Sequence, residues 1–335
     1  MMGVLQMTNL FQIGQVNTMN LLKAEPAIGS PPLTRNRFLK KLSKSWILIL
    51  MFLPCMLFYL LFKYYPMMGI IISFKNYNLY KGIWASDWVG FKYYVMFFKN
   101  PDFFILFRNT FLLGAYKLLF GFPAPIILAL LLNEIKQQLF KRFIQTVSYL
   151  PHFISNVIVA SMVAMFLSPT GGMINQLLQS LGIEPINFLI MPGWFRTVFV
   201  SSEIWQNLGW ETIIYLAALV AIDPSLYEAA DMDGANRWHK LRHITLPGIT
   251  SAIIILLLLN VGKVLEIGFE KVFLLSNPTT YETADIFSTY VYRVGMTNGN
   301  FSYASAIDMF TGAVSLIFIL SANYISRKFS DNSLW

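Results

Sequence analysis

An all-α, polytopic membrane protein is what this sequence predicts, on three observations. Of its 335 residues, 56% are hydrophobic and only 13% charged, about half of the ~25% that coats an average soluble domain. Apolar stretches near 20 residues, the length that crosses a bilayer as a helix, recur six times. Basic residues collect between alternate stretches, as they do on the cytoplasmic side of a membrane. That placement, rather than nucleic acid, accounts for the net charge of +8. The 29 Phe, 16 Tyr and 8 Trp exclude a disordered chain, and the single Cys55 excludes a disulfide scaffold.

Residues 1–45 read as a cytoplasmic tail. Lys23, Arg35, Arg37, Lys40, Lys41 and Lys44 precede the first apolar stretch, and no basic n-region with a small-residue cleavage site marks a secretory signal. With Pro26, Pro31 and Pro32 and no firm helical period, residues 1–34 read as a disordered tail, or as an extension upstream of a start at Met19. An interfacial helix over 4–22 is the functional alternative.

The six spans form a transmembrane domain, 46–326. The first starts at Trp46 and runs uncharged to Phe62, then on past Lys63 toward Pro66. The second covers Asn109 to Asn133, with Lys117, Pro123 and Pro125 inside it; the third lies within Phe143 to Leu167. The fourth is Thr197 to Ile222, the fifth Ser251 to Leu275, and the sixth Met309 to Ser326. Neighbouring helices and waters satisfy the carbonyls that such prolines free.

An inside N-terminus also places 134–142, 223–247 and the C-terminal tail 327–335 inside. These carry Lys136, Lys141, Arg142, Arg237, Lys240, Arg242, Arg327 and Lys328. The outside segment 75–108 holds Lys75, Lys81, Lys92, Lys99 and Arg108, but in a long segment such charges count less. The expectation is N-in and C-in.

The most polar cytoplasmic connection is 223–247. Asp223 is a good N-cap and Pro224 suits the first helical position, so a helix starts there. Leu226, Ala229, Ala230 and Asp233 follow at helical spacing, and the small alanines allow close approach by another surface. Gly234 can stop this helix. A second, basic helix runs from Asn236 to His243, and Leu246–Pro247 is expected to break the chain before the fifth span. Two short helices at an angle make either a rigid docking knob or a solvated connector.

Glu228-Ala229-Ala230, Asp233-Gly234-Ala235 and Ile244-Thr245-Leu246-Pro247 resemble the EAA loop of ABC importer permeases, the pattern EAA---G---------I-LP. Leu241 stands where that family usually carries Phe. Tyr227 and Trp238, and in the first span Leu53-Pro54, Tyr64-Tyr65-Pro66-Met67 and Ser73-Phe74, resemble the carbohydrate branch, so the likeness runs from about Trp46 to Ser326. The resemblance implies a type I importer permease fold with the loop seated in a cleft on a cytoplasmic ATPase. Glu228 would pair with a base of that ATPase, Gly234 would permit the turn, and Ala229, Ala230, Asp233, Leu241, Leu246 and Pro247 would complete the contact. It implies as partners a second, different permease, a homodimeric ATPase, an external or lipoprotein solute-binding protein and an oligosaccharide, in the bacterial cytoplasmic membrane as a multi-pass protein. The sub-group indicated is similar to maltose permeases and to the lipo- and polysaccharide permeases of Gram-positive bacteria.

No cofactor is expected in the chain itself, ATP–Mg being bound by the partner. No G-x-x-x-x-G-K-[ST] run occurs; Gly262-Lys263 is followed by Val264. His239 and His243 have metalloprotease spacing, but Lys240 stands where the general base would be. His152 has no acidic or Cys neighbour at ligand spacing. A catalytic role is therefore not expected.

Charges inside a bilayer face protein or water. In the fifth span Lys263 and Glu266 are three apart, with Glu270 and Lys271 following; they either neutralise one another locally or line the translocation path with Asn260. In the fourth, Trp205, Asn207, Trp210 and Glu211 offer flat apolar faces and hydrogen-bonding groups suited to a sugar, although an interfacial aromatic belt explains the tryptophans equally well. Lys117 reads as an interior pair or a snorkelling group. Lys263 hints at an acidic sugar. A permease for amino acids, peptides or another solute is the alternative within the same machinery. A membrane-embedded enzyme is the alternative outside it, but lacks a nucleophile–His or metal constellation.

Overall fold

The computed structural model describes residues 46–329, so the expectations for 1–45 and for 330–335 lie outside the described residues. The described residues divide into two units, 46–67 and 68–329. In the first, helix α1 (Trp46–Tyr59) carries Pro54 inside it and continues through a π turn, Leu60–Tyr64, to Met67.

In the second unit, a short antiparallel pair, Lys75–Asn76 with Asp87–Trp88, follows the 3-10 segment Met68–Phe74. The main helices are α2 (Phe103–Tyr116), α3 (Pro123–Glu134), α4 (Gln138–Tyr149), α5 (Asn156–Leu167), α6 (Pro192–Val220), α7 (Pro224–Met232), α8 (Leu246–Gly262), α9 (Phe269–Leu275) and α10 (Phe301–Phe329). Among the described residues four helices are long and apolar enough to cross a membrane, and there are six spans if each of two bent pairs counts as one.

Four of the expected spans need correction. The second begins at Phe103, not Asn109, and the sixth at Phe301, not Met309. The charged residues just outside the expected bounds, Arg108 and Asp308, sit in continuous helix. Arg108 donates to the Glu282 carbonyl at 2.8 Å, and Asn109 beside it is fully buried and donates to the carbonyls of Glu282 and Asp285 at 3.0 and 3.1 Å. The third is bent by 104° between Phe153 and Asn156, where Pro151 opens a 3-10 turn and Ser155 caps α5 by accepting from the Ile158 N–H. The fifth does not reach Leu275. It ends at Gly262, and the chain runs irregularly to Gly268 before α9 begins.

That irregular stretch packs tightly. A Cβ on Gly114 of α2 would stand 2.0 Å from the Val264 carbonyl oxygen, so only glycine allows the two backbones to meet. Lipid is as apolar as leucine, and helix association in a bilayer relies on such close approach and on hydrogen bonds. Three buried clusters result. Leu113, Phe195, Phe199 and Val272 join α2, α6 and α9; Ala129, Tyr215 and Ile249 join α3, α6 and α8; Phe97, Leu106, Phe287 and Ile307 form an aromatic-rich third. Helix α6 shares the first two, and so backs both the polar path and the loop.

π turns recur before prolines. Leu60–Tyr64, Lys117–Gly121 and Leu241–Thr245 each end two residues short of one: Pro66, Pro123 and Pro247. A proline cannot donate to the carbonyl four residues back and clashes with it. Widening one turn moves that carbonyl aside without breaking the helix. The expected break at Leu246–Pro247 is accordingly absent, and Arg237–Gly262 is continuous over 26 residues.

Candidate functional site: the coupling loop and the polar path

Between α6 and α8 the chain turns by 66° into α7. Asp223 caps α7, its Oδ1 accepting from the Ser225 N–H at 2.9 Å. This bond lowers the Asp223 carboxyl below its ordinary value. Gly234 ends the turn after α7 with φ +73°, a left-handed conformation that side chains resist. Asn236 then caps the next helix, Arg237–Lys240, by accepting from the His239 N–H at 2.9 Å.

The two short helices are tied together. Lys240 pairs with Asp231, and the Tyr227 hydroxyl meets the buried Thr245 hydroxyl at 3.0 Å. Their outer surface presents Glu228, Ala229, Asp233 and Gly234, all exposed, with Ala230 and Leu241 half-buried beneath. Around these stand Leu226, Met232 and Trp238, the last two 88% and 65% exposed. An exposed carboxylate in an apolar rim is a surface built to be covered. Leu246 and Pro247 lie in the continuous helix behind it.

The second constellation lies along α6. Glu203, Asn207 and Glu211 recur every four residues and so share one face. Glu203 pairs with Lys117 at 3.1 Å and with Lys271, whose ammonium also donates to Gln206. Of the charges in the fifth-span region, Lys271 is thus paired across helices rather than with its neighbour Glu270. Glu270 accepts from Asn156 Nδ2 at 2.7 Å. Below Glu203, the His152 ring stacks on Trp210 with centroids 4.6 Å apart, and its Nδ1 lies 3.1 Å from Asn207 Oδ1.

Lys117, Glu203, Asn207, Glu211 and Asn260 line a narrow cavity of about 20 Å³. Lys117 and Asn260 also line a neighbouring one of about 80 Å³, with Lys263 and Glu266. Ile204 lines both the narrow cavity and an open groove of about 600 Å³ beside Tyr116 and Phe120. The narrow part, beside Glu203, has room for about one water.

The structure thus brings together Asn207, Glu211, Asn260, Lys263 and Glu266, with Trp210 beside Asn207. Trp205 does not join them. It points to the opposite side of α6, into an apolar groove of about 500 Å³ with Phe166, Phe188 and Trp194. Glu203 is a member of the site that hydropathy and motif do not single out; its four-residue spacing from Asn207 and Glu211 is the signal that could find it. His152 belongs to the site through Trp210, a stacking partner too distant in the chain for spacing to reveal.

Residues 121–331 match the family described as binding-protein-dependent transport system inner membrane component. The chain is 50% identical over 301 residues to the polygalacturonan/rhamnogalacturonan transport system permease protein YteP of Bacillus subtilis (strain 168), covering 90% of this chain and 94% of the relative. A crystal structure of a bacterial ABC transporter involved in the import of the acidic polysaccharide alginate matches with a TM-score of 0.82 and 43% identity, over 87% of this chain and 99% of that one. A second alginate transporter structure, in complex with an alginate pentasaccharide-bound periplasmic protein, matches with a TM-score of 0.83 and 42% identity, over 89% and 100%. With the helical architecture of four to six candidate spans and the loop already described, the chain belongs to the family of binding-protein-dependent transport system inner membrane components, as a permease subunit of an ABC importer.

Proposed function

We propose that this chain forms half of the translocation pathway for an oligosaccharide or polysaccharide fragment and is driven by a cytoplasmic ATPase docked on residues 223–247. The observation that carries the reading is the loop. Glu228, Ala229, Ala230 and Gly234 are presented together on a knob that internal bonds hold rigid. Relatives whose names include polygalacturonan, rhamnogalacturonan and alginate favour a saccharide over amino acids or peptides.

In this reading the tail 1–45, the loop and the tail 327–335 are cytoplasmic, and 46–326 is the permease domain. ATP–Mg binds to a homodimeric ATPase, not to this chain, which is non-catalytic. A second, different permease supplies the other half of the path, and a solute-binding protein delivers the saccharide from outside. Asn207, Trp210, Glu211, Asn260, Lys263 and Glu266 line the path, with Glu203 and Lys117 at the narrow cavity.

The test is reconstitution. The chain with its partner permease, ATPase and binding protein should take up saccharide in an ATP-dependent manner, and the chain alone should show neither ATPase activity nor uptake. Uptake by the chain as sole component would overturn the reading.

A further inference from the structure

The open groove beside Tyr116 and Phe120 contains a cation that has no counter-ion among the described residues. Arg196 lies in the second turn of α6, seven residues before Glu203, or about 10 Å along the helix. One terminal nitrogen, Nη2, donates to Asn109 Oδ1 at 3.0 Å. Asn109 is itself fixed, since its amide nitrogen donates to three backbone carbonyls. The guanidinium is therefore held by neutral groups, Asn109 and the Tyr116 hydroxyl. Its Nε is buried with no hydrogen-bond partner among the described residues. Glu282 is near enough for its field to be felt, but Arg108 opposes that field, and no ion pair to Arg196 forms among the described residues.

The surroundings suit a sugar. Tyr116 and Phe120 supply flat apolar faces, and Thr197 and Ser201 line the groove beside them. Its volume of about 600 Å³ falls in the range of small-ligand sites. A guanidinium presents paired N–H donors that match the two oxygens of a carboxylate, and such bidentate pairs are both strong and specific. A neutral saccharide would leave this charge uncompensated.

We propose that Arg196 is a specificity-determining residue that receives the carboxylate of a uronate unit in the groove lined by Tyr116, Phe120, Thr197 and Ser201. This rests on the oligosaccharide reading above and narrows it to acidic saccharides. A competing occupant is a carboxylate of the partner permease, and the experiment separates the two.

The assembled complex, with one binding protein throughout, is reconstituted in proteoliposomes and supplied with trigalacturonate, its methyl ester, or neutral galactotriose. Arg196→Gln should raise KM for trigalacturonate at least tenfold, leave KM for any methyl ester uptake unchanged, and preserve assembly and basal ATPase activity. Arg196→Lys, which keeps the charge but not the fork, should lie between. An unchanged KM for trigalacturonate, or an equal loss for acid and ester, overturns the subsite. Loss of the partner permease on purification of Arg196→Gln assigns the guanidinium to the subunit interface and also overturns it. A wild-type complex that carries galactotriose but not trigalacturonate rejects the acidic subsite and retains the oligosaccharide reading. A complex stimulated by none of the three saccharides counts against that reading itself.

Discussion

Lys271, on the short helix α9, reaches across to Glu203 on α6, and only 1% of its side chain is left exposed. Lys117 approaches the same carboxylate from the turn after α2. One acid therefore holds two cations and three segments of chain together. Removing one partner of a buried pair typically costs ~3–5 kcal/mol, because the other charge stays buried. Glu203→Gln leaves two ammonium groups facing each other and should lower the thermal unfolding temperature of the purified complex. The double variant Glu203→Leu with Lys271→Met should recover most of that loss without restoring uptake. Thermal unfolding followed alongside uptake separates the two roles.

The tryptophans on α6 should behave differently from each other. Trp210 stacks on His152 next to Asn207, whereas Trp205 faces an apolar groove on the other side. Trp210→Ala and Asn207→Ala should cut uptake several-fold with the complex and its basal ATPase intact. Trp205→Ala should leave uptake near normal. Equal loss for both tryptophans would remove the distinction between the two faces.

The docking role proposed for residues 223–247 predicts a loss of association on mutation. Glu228 is exposed in an apolar rim, and covering it beside a partner cation would make a desolvated pair. Breaking such a pair costs ~2–5 kcal/mol, so Glu228→Lys should loosen the ATPase at least tenfold and abolish uptake while the permease still inserts. Gly234→Leu should do the same by a different route. No atom crowds a Cβ there, but its φ of +73° strains any β-carbon. Gly234→Asn, a residue that tolerates this conformation, should retain more ATPase than Gly234→Leu. The measurement is ATPase recovered per permease.

Asp223 gives a pH-dependent prediction. Accepting the Ser225 N–H lowers its carboxyl below the ordinary ~3.9. A lowered folded value means that the cap contributes above the ordinary range and is lost as pH falls through the lowered value, below about pH 4. Asp223→Ala should speed hydrogen exchange at the first amides of α7 at neutral pH, with the difference shrinking under acid. Asp223→Asn, still an acceptor, should exchange like the wild type.

Features governed by neighbouring residues are legible in the sequence. The caps at Asp223 and Asn236 and the turn at Gly234 all rest on local chemistry, and they stand where expected. The outer ends of the spans are less so. A hydropathy reading stops at Arg108 and Asp308, although both sit in continuous helix, and Arg108 there donates to the Glu282 backbone carbonyl. The end of the fifth span at Gly262 depends on Gly114 admitting the Val264 carbonyl, a contact between distant stretches. The same holds for Glu203, whose two partners lie far from it in the chain. Pro247 differs again: by itself it signals a break, and a π turn one step earlier absorbs it.

That absorbed proline has a mechanical consequence. Arg237–Gly262 is a single rod of 26 residues, about 39 Å at 1.5 Å per residue. One end carries the loop's second short helix, and the other meets the irregular stretch that holds Lys263 and Glu266. A tilt of about 5° sweeps the far end of such a rod through about 3 Å. On the other side, the joint between α6 and α7 is a 66° elbow of three residues. The loop is thus continuous with one long shaft and joined to the other through a short, angled elbow.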